Sequence, residues 1–227
     1  MNEKIQIIID GGNFYHLVLK KLGIRVHEFD FNKFANYLAE NRTITDKGKR
    51  YYTGTVREKS NDPRSKKLMS EQTRLFSLLS KQEWELKTSK LRTRTEEIKI
   101  DERTVDYEKF LKANIHSVTY ARKREKGIDV KIATDLIIGA LDKKYETVVL
   151  VSSDTDLIPV IDCIRGRFDR KVEYIGFSIP DEKDSTNSTK PSLAMTSKAD
   201  IVKTLGSKDI MQFRLNLPDG PQVMKKP

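Results

Sequence analysis

The sequence predicts an α/β protein built on a mostly parallel β-sheet. Short apolar runs such as Lys4–Ile9 and Thr147–Val151 alternate with segments whose apolar residues recur at helical spacing. This alternation is typical of parallel sheets, because a crossover between parallel strands usually contains a helix. The 227 residues are 37% hydrophobic, which suffices for one core and argues against a wholly disordered chain.

The N-terminal segment predicts a strand followed by two helices. Lys4–Ile9 is a short buried strand that ends at Asp10 and two glycines. Asn13–Leu22 has its apolar residues on one helical face. Asp30 is a suitable N-cap for a second helix over Phe31–Glu40.

The middle of the chain predicts further strands and one long helix. Arg50–Val56 is rich in residues that favour strands, which predicts a strand. Pro63 begins a predicted helix that runs to Leu79. Trp84–Arg92 alternates, which indicates a strand, and Ser117–Lys126 is another candidate strand. The highly charged stretch Thr93–Asn114 predicts an inserted hairpin or excursion, so we place an insertion at about residues 93–117.

The C-terminal part of the chain continues the alternation of helices and strands to Phe177, after which the pattern ends. Gly127–Leu141 has apolar residues at a spacing of four, which predicts a helix. Thr147–Val151 is a continuous apolar run, as expected of a strand covered on both faces. A helix over Thr155–Arg165 and a strand over Lys171–Phe177 follow. We therefore predict one domain over residues 1–180, with a polar loop and C-terminal extension over 181–227.

Composition excludes several classes of protein. With one cysteine, Cys163, the chain has neither a disulfide framework nor a cysteine-based zinc site, and its three histidines lack ligand spacing. The apolar stretch Ile5–Ile9 is too short for a signal peptide or a membrane span, so we expect no membrane partner and a cytoplasmic protein.

The net charge of +10 is concentrated in the middle of the chain. Lys47–Lys126 contains 22 basic and 12 acidic residues, whereas the segments on either side are neutral. A solvated face is one interpretation, and contact with a polyanion is the one we favour. The residues expected to grip phosphates are Arg92, Arg94, Arg122, Lys123, Arg124 and Lys126. Tyr51, Tyr52 and Trp84 are either base-stacking or, more commonly for strands, core residues.

Three acidic segments are predicted to meet at one edge of the sheet. Asp10 follows the first strand, and Asp154 and Asp156 follow the strand Thr147–Val151. Asp129 opens the helix that precedes that strand. Because ligands gather at the carboxyl ends of parallel strands, these carboxylates are expected to converge there.

Converging carboxylates repel one another unless a cation lies among them, and oxygen ligands favour Mg²⁺ or Mn²⁺. Such an ion near a basic surface suits phosphodiester hydrolysis. Each residue also has a structural interpretation: Asp10 and Asn13 as turn residues, and Asp129, Asp154 and Asp156 as helix caps. Asp135 lies about 240° around the helix from Asp129, so we treat it only as a supporting residue.

The three segments IIIDGGNFY, KGIDVKIATDLI and TVVLVSSDTDLIPVI, in that order, resemble the NYN domain, in particular its LabA-like branch within the PIN-like nuclease superfamily. The resemblance covers about Met1–Phe177. It implies a three-layer α/β/α sandwich and a ribonuclease dependent on Mg²⁺ or Mn²⁺. The family's metal carboxylates fall on Asp10, Asp129 and Asp154, with Asp156 beside them, and its polar residue falls on Asn13.

Two functions follow as expectations. The first is a metal-dependent endoribonuclease whose catalytic residues are Asp10, Asn13, Asp129, Asp154 and Asp156, acting on single-stranded or structured RNA. The second is an RNA-binding regulatory protein with the same fold and little turnover. A phosphatase or phospho-receiver is disfavoured, because Gly11 and Gly12 occupy positions where those sites need acids. The oligomeric state, including a homo-oligomer, is left open.

Overall fold

A computed structural model describes residues 2–56, 62–90, 92–124, 127–181 and 184–215. The strands in these ranges are β1 Lys4–Asp10, β2 Thr43–Thr55, β3 Glu85–Lys90, β4 Arg92–Lys99, β5 Ser117–Arg124, β6 Thr147–Val151, β7 Lys171–Ser178 and β8 Ile201–Gly206. The α-helices are α1 Gly11–Phe14, α2 Phe31–Ala39, α3 Pro63–Lys81, α4 Tyr107–Lys112, α5 Ile128–Leu141, α6 Ile158–Phe168, α7 Leu193–Lys198 and α8 Ser207–Met211. A π-helical turn, Tyr15–Leu19, continues α1, and 3₁₀ turns cover Val26–Glu28, Thr155–Leu157 and Ser185–Asn187.

The central sheet has six strands in the order β3-β2-β1-β6-β7-β8, and all its pairs are parallel. From β1 the chain moves outward through β2 and β3, and it later returns to the other side of β1 through β6, β7 and β8. The strand order therefore reverses between β1 and β6. Their register pairs Ile9 with Val151, so the carboxyl ends of both strands lie side by side. In open α/β sheets this reversal point is where ligands bind.

Helices cover both faces of the sheet, which confirms the predicted α/β/α sandwich. Successive residues of β1 point to opposite faces, so Ile7 and Ile9 enter one core and Ile8 the other. The first core contains α1, α2 and α3, with Phe14 stacked on Phe34 at 5.7 Å between ring centroids. The second contains α5 and α6. Both faces of β1 are buried, as its nearly continuous apolar sequence predicts.

The core positions agree with several predictions from the sequence. The predicted stripe of α5 is buried at Ile128, Ile132, Leu136 and Ala140. Tyr51, Tyr52 and Trp84 are buried, which confirms that they are core residues and not exposed stacking platforms.

The predicted strand Trp84–Arg92 is confirmed as β3, with a shorter range than predicted. β3 ends at Lys90 in the central sheet, and Arg92 already begins β4. β4 and β5 form a separate antiparallel pair that runs from Arg92 opposite Arg124 to Lys99 opposite Ser117. With α4 between them they make an arm, defined here as residues 92–124, in the region of the predicted insertion. The predicted strand Ser117–Lys126 corresponds to β5, which ends at Arg124. It belongs to the arm because it pairs with β4, which lies nearby in sequence.

Residues beyond 180 also contribute to the sheet and its core. β8 pairs in parallel with β7, and Phe213 packs against Phe34 at 5.2 Å between ring centroids. The domain boundary at residue 180 and the insertion boundaries stay predictions. In the ranges that the structure describes, no helix combines the length and the apolar character needed to cross a bilayer.

Candidate functional site

The carboxylate of Asp10 anchors the turn that follows β1. Asp10 is the N-cap of α1, where its Oδ1 accepts a hydrogen bond from the backbone N–H of Asn13 at 3.0 Å. Its Oδ2 accepts from the Ser152 hydroxyl at 3.3 Å. Asp10 is only 7% exposed, so these bonds stabilise a carboxylate that burial alone would disfavour.

The loop after β6 is tied to the same turn. The Asn13 side-chain oxygen accepts from the backbone N–H of Ser153 at 3.0 Å, and the Ser152 hydroxyl accepts from the N–H of Asp154 at 3.2 Å. Asp154 caps the following 3₁₀ turn, because its Oδ1 accepts from the N–H of Asp156 at 2.9 Å. The capping interpretation therefore applies to Asp10 and Asp154, and Asn13 bridges the two loops.

One cavity of about 370 Å³ lies at this edge of the sheet, between the ends of β1 and β6 and the start of α5. Its charged and polar lining residues are Asp10, Asn13, His16, Asp129 and Asp154. We call it the carboxylate cleft. Three of the carboxylates predicted from sequence thus face one space, although they come from segments far apart in the chain.

The electrostatics of the cleft appear most clearly at Asp129. Partial burial, and after it the negative charges of Asp154 and Asp156, raise the pKa of the Asp129 carboxyl above its ordinary value. Within the described ranges, the Asp129 carboxylate forms neither a hydrogen bond nor an ion pair. The cleft therefore brings together negative charges that act on one another.

Two other acids, Asp156 and Asp135, do not line the carboxylate cleft. Asp156 is exposed and does not line the cleft, although its charge acts on Asp129. Asp135 lies elsewhere, where it accepts a hydrogen bond from the Tyr52 hydroxyl at 2.6 Å and pairs with Arg50 at 3.4 Å. Burial and this carboxylate raise the pKa of Tyr52 far above its usual value, so the phenol stays protonated. Asp135 joins α5 to β2, in keeping with a supporting role.

The donor atoms of the cleft are carboxylate oxygens, which suit a hard cation. The raised pKa of the Asp129 carboxyl also reflects neighbouring negative charges, which a cation would offset. The second oxygen of Asp154 has no hydrogen bond within the described part of the chain. However, among the described residues no three His, Cys, Asp or Glu side chains are arranged to hold a metal ion. The cleft fits Mg²⁺ or Mn²⁺ by chemistry, but its ligands are not preassembled.

Two polar residues of this region were not singled out from the sequence. His16 lines the cleft from the π-helical turn, one turn after Asn13, and Ser152 joins Asp10 to the loop of Asp154. The spacing of Asn13 and His16 was the available signal for the histidine. Ser152 offered none, because its role depends on the register of β1 and β6.

The predicted phosphate-binding residues lie on the arm. β4 and β5 pair Arg92 with Arg124 and Arg94 with Arg122, and Lys123 lies between these pairs opposite Thr93. Lys126 falls outside the described residues. Arg124 is three residues from Gly127, which lines the cleft, so their Cα atoms are within about 11 Å. The C-terminal end of the arm therefore lies close to the cleft.

A protein of unknown function from Vibrio parahaemolyticus, solved as a crystal structure, aligns over 90% of this chain and 93% of its own, at 19% identity and a TM-score of 0.49. No curated protein matches the chain.

The sequence profile of the NYN domain matches residues 4–196, which covers every strand of the central sheet except β8 together with the whole carboxylate cleft. This match includes the arm as well. The chain therefore belongs to the NYN domain family, whose members are generally nuclease-like.

Proposed function

We propose that this protein is a metal-dependent endoribonuclease that hydrolyses RNA phosphodiester bonds in the carboxylate cleft. The observation that carries the proposal is the meeting of Asp10, Asp129 and Asp154 around one cavity at the reversal point of a parallel sheet. Membership of a nuclease-like family supports the reaction class.

The carboxylates of Asp10, Asp129 and Asp154 would hold Mg²⁺ or Mn²⁺, with Asp156 as a fourth acid beside the cleft. When bound, the ion supplies Lewis-acid activation of water and offsets charge on the phosphate. Asp10 is fixed by its cap and by Ser152, so it defines the position of the site. The Asp129 side chain is held by no hydrogen bond in the described ranges, so it is able to turn toward an ion.

The neighbouring polar groups have supporting roles. Asn13 orients a ligand or the attacking water from the bridge that it makes to Ser153. The basic residues of the arm bind the RNA backbone, because cations on an extended hairpin next to the cleft attract phosphates regardless of sequence.

A second candidate is an RNA-binding regulatory protein that uses the same cleft and arm with little turnover. It is favoured by one observation, namely that no three acidic or histidine side chains are arranged as metal ligands among the described residues. The two functions differ only in whether a metal ion binds the carboxylates of the cleft and brings them together.

Cleavage of a labelled RNA in Mn²⁺ separates them. Asp10→Asn and Asp154→Asn should each abolish Mn²⁺-dependent cleavage while the protein stays folded, since Asn retains the capping oxygen. The matched control is Asp46→Asn, an exposed acid away from the cleft. Wild-type rates in both cleft variants would show that the reaction, if present, occurs elsewhere, and no cleavage by the wild type would favour the binding function.

A further inference from the structure

The arm has no core of its own. None of residues 95–121 is buried, and neither core of the described part of the chain includes a residue of the arm. A two-stranded ribbon is marginally stable in water unless it packs on another element, and α4 has only six residues, too few for a stable isolated helix. A further surface is therefore needed to hold the arm in one conformation.

One face of the ribbon carries exposed apolar side chains. Ile98 and Val118 lie opposite each other in the β4–β5 pair, so their side chains share a face, and they are 49% and 44% exposed. Tyr120 belongs to the same face, because it is two residues from Val118, and its hydroxyl donates a hydrogen bond to Glu96 at 3.0 Å. Beyond the ribbon, the exposed apolar residues of the arm are Val105, Phe110, Leu111 and Ile115. Exposed apolar surface on this scale marks a site of protein–protein contact.

The charge of the arm is divided along its length. We call residues 92–95 and 121–124 the base of the arm, and residues 96–120 its tip. The base contains five basic residues and no acidic one, whereas the tip contains six acidic and four basic residues. The net negative charge of the tip repels phosphates, so its apolar surface does not suit a nucleic acid. It suits a protein surface that is basic beside an apolar patch.

A second copy of this chain has such a surface, because the base of its arm adjoins the face of Ile98 and Val118. The tip and base of one arm cannot contact each other, since the strand from Arg92 to Lys99 spans about 24 Å at about 3.4 Å per residue. Two arms lying side by side in opposite directions bring each tip to the other base. The two Ile98–Val118 pairs then meet at the two-fold axis, where identical apolar surfaces cover each other.

We propose that the arms of two copies pair in this antiparallel way and that the protein is a dimer. The inference goes beyond the proposed function, because it concerns the ribbon of the arm and not the chemistry of the cleft. Gly127, three residues after the arm, lines the carboxylate cleft, so the dimer holds its two clefts at opposite ends of the paired arms. The base is also the surface proposed to contact RNA, so the dimer is tested without RNA.

Sedimentation equilibrium of the full chain at low salt measures the oligomeric state. We expect the wild type to be a dimer at protein concentrations of about 100 μM. Ile98→Asp places two carboxylates at the two-fold axis, so it should raise the dissociation constant at least about tenfold. Ile138→Asp is the matched control, because Ile138 is similarly exposed on α5, outside the arm; it should change the constant less than about twofold. A monomeric wild type would overturn the inference and leave a different protein as the partner of the tip. A dimer unaffected by Ile98→Asp would also overturn it.

Two charge-reversed variants identify the partner of the tip as a second copy. The first carries Glu102→Lys and Glu108→Lys at exposed positions of the tip, and the second carries Arg122→Glu and Arg124→Glu in the base. Each variant alone should dissociate at least about tenfold more readily than the wild type, because like charges then meet across the dimer.

An equimolar mixture of the two variants should restore association to within about threefold of the wild type, since each reversed segment then meets an oppositely charged one. Rescue by mixing would also show that both variants are folded. If circular dichroism shows both variants folded and their mixture stays monomeric, the antiparallel pairing of the arms is wrong.

Discussion

At the scale of single residues, Asp154 and Asp156 differ in what their carboxylates do. Asp154 caps the 3₁₀ turn and faces the cleft, whereas Asp156 is exposed in the first turn of that element. Both acids are near the start of α6, where helix dipoles favour negative charge by about 0.3–1 kcal/mol. Among the described residues, Asp154 accepts a hydrogen bond that adds to this effect, and the Asp156 side chain accepts none.

We predict that Asp154→Ala lowers the free energy of unfolding by about 1 kcal/mol because the cap is lost. Asp154→Asn should retain most of this stability, and Asp156→Ala should lose less than Asp154→Ala. Urea titrations measure the three differences. A larger loss at Asp156 than at Asp154 would mean that the cap is misassigned. If Asp156→Asn is stable but cleaves RNA slowly in Mn²⁺, Asp156 belongs to the site.

Asp129 allows a test of the charge in the cleft. Its pKa is raised in the folded protein, so its contribution to stability is present below the unfolded value and decreases as pH rises through the folded value. The stability of the wild type relative to Asp129→Asn should therefore fall as the pH rises above about 4, the ordinary pKa of an aspartate side chain. NMR titration should show the Asp129 pKa moving back toward its ordinary value in Asp154→Asn. An unchanged value would exclude Asp154 as a cause.

At the scale of secondary-structure elements, the contact between α1 and β2 fixes the turn that presents Asp10 and Asn13. A Cβ added at Gly11 would lie 2.3 Å from the ring of Tyr51, which is itself buried. In contrast, Gly166 on α6 has nothing within 4 Å of its Cβ position.

Gly11→Ala should therefore destabilise the protein by about 1–3 kcal/mol through overpacking. Gly166→Ala is the matched control, and it should be neutral or stabilising by up to about 1 kcal/mol, because alanine favours helix interiors. Chemical denaturation of both variants gives the comparison. Equal stabilities would mean that Tyr51 moves aside at little cost and that the turn is less constrained than its packing indicates.

The elements also show where prediction from sequence works. Apolar periodicity was sufficient for β1, β6 and the buried face of α5, because each has a clear inward side. It failed for β8, whose Ile201 and Val202 are more than one-third exposed at the edge of the sheet, and for Lys90–Arg92, where one alternating pattern continues across two sheets. The convergence of Asp10, Asp129 and Asp154 could be predicted, because two of them follow strands that end at one edge of the sheet and the third opens a helix that starts there. The roles of His16 and Ser152 depend on register and packing, which local patterns do not contain.

At the scale of the whole molecule, the excess positive charge lies between residues 47 and 126, while the cleft is acidic. Part of this excess serves the fold. The Lys49 ammonium, for example, donates to the Asn32 side chain at 3.0 Å and to the Gln82 carbonyl at 2.6 Å, and Arg50 pairs with Asp135. The arm residues are the better candidates for RNA contact.

We predict that RNA affinity falls steeply with salt and that Ala substitution of Arg122, Lys123 and Arg124 together weakens binding. The slope of log affinity against log salt should become shallower by as much as about two to three, since each phosphate contact contributes about 0.7–0.9. Ala substitution of three exposed lysines from the neutral C-terminal part, Lys171, Lys190 and Lys208, removes the same net charge and serves as the control. Equal slopes in both triple variants would place the RNA surface elsewhere.

The adjacency of β1 and β6 also has a consequence for biosynthesis. Asp10 is synthesised before its neighbours Ser152 and Asp154, which follow only after the arm and α5 have been made. Such a distant pairing forms slowly, because closing a long loop costs chain entropy before any contact compensates for it. A nascent chain that has not yet reached Ser152 therefore lacks one side of the carboxylate cleft. Its Asp10 and Asn13 are present before the loop that binds them exists.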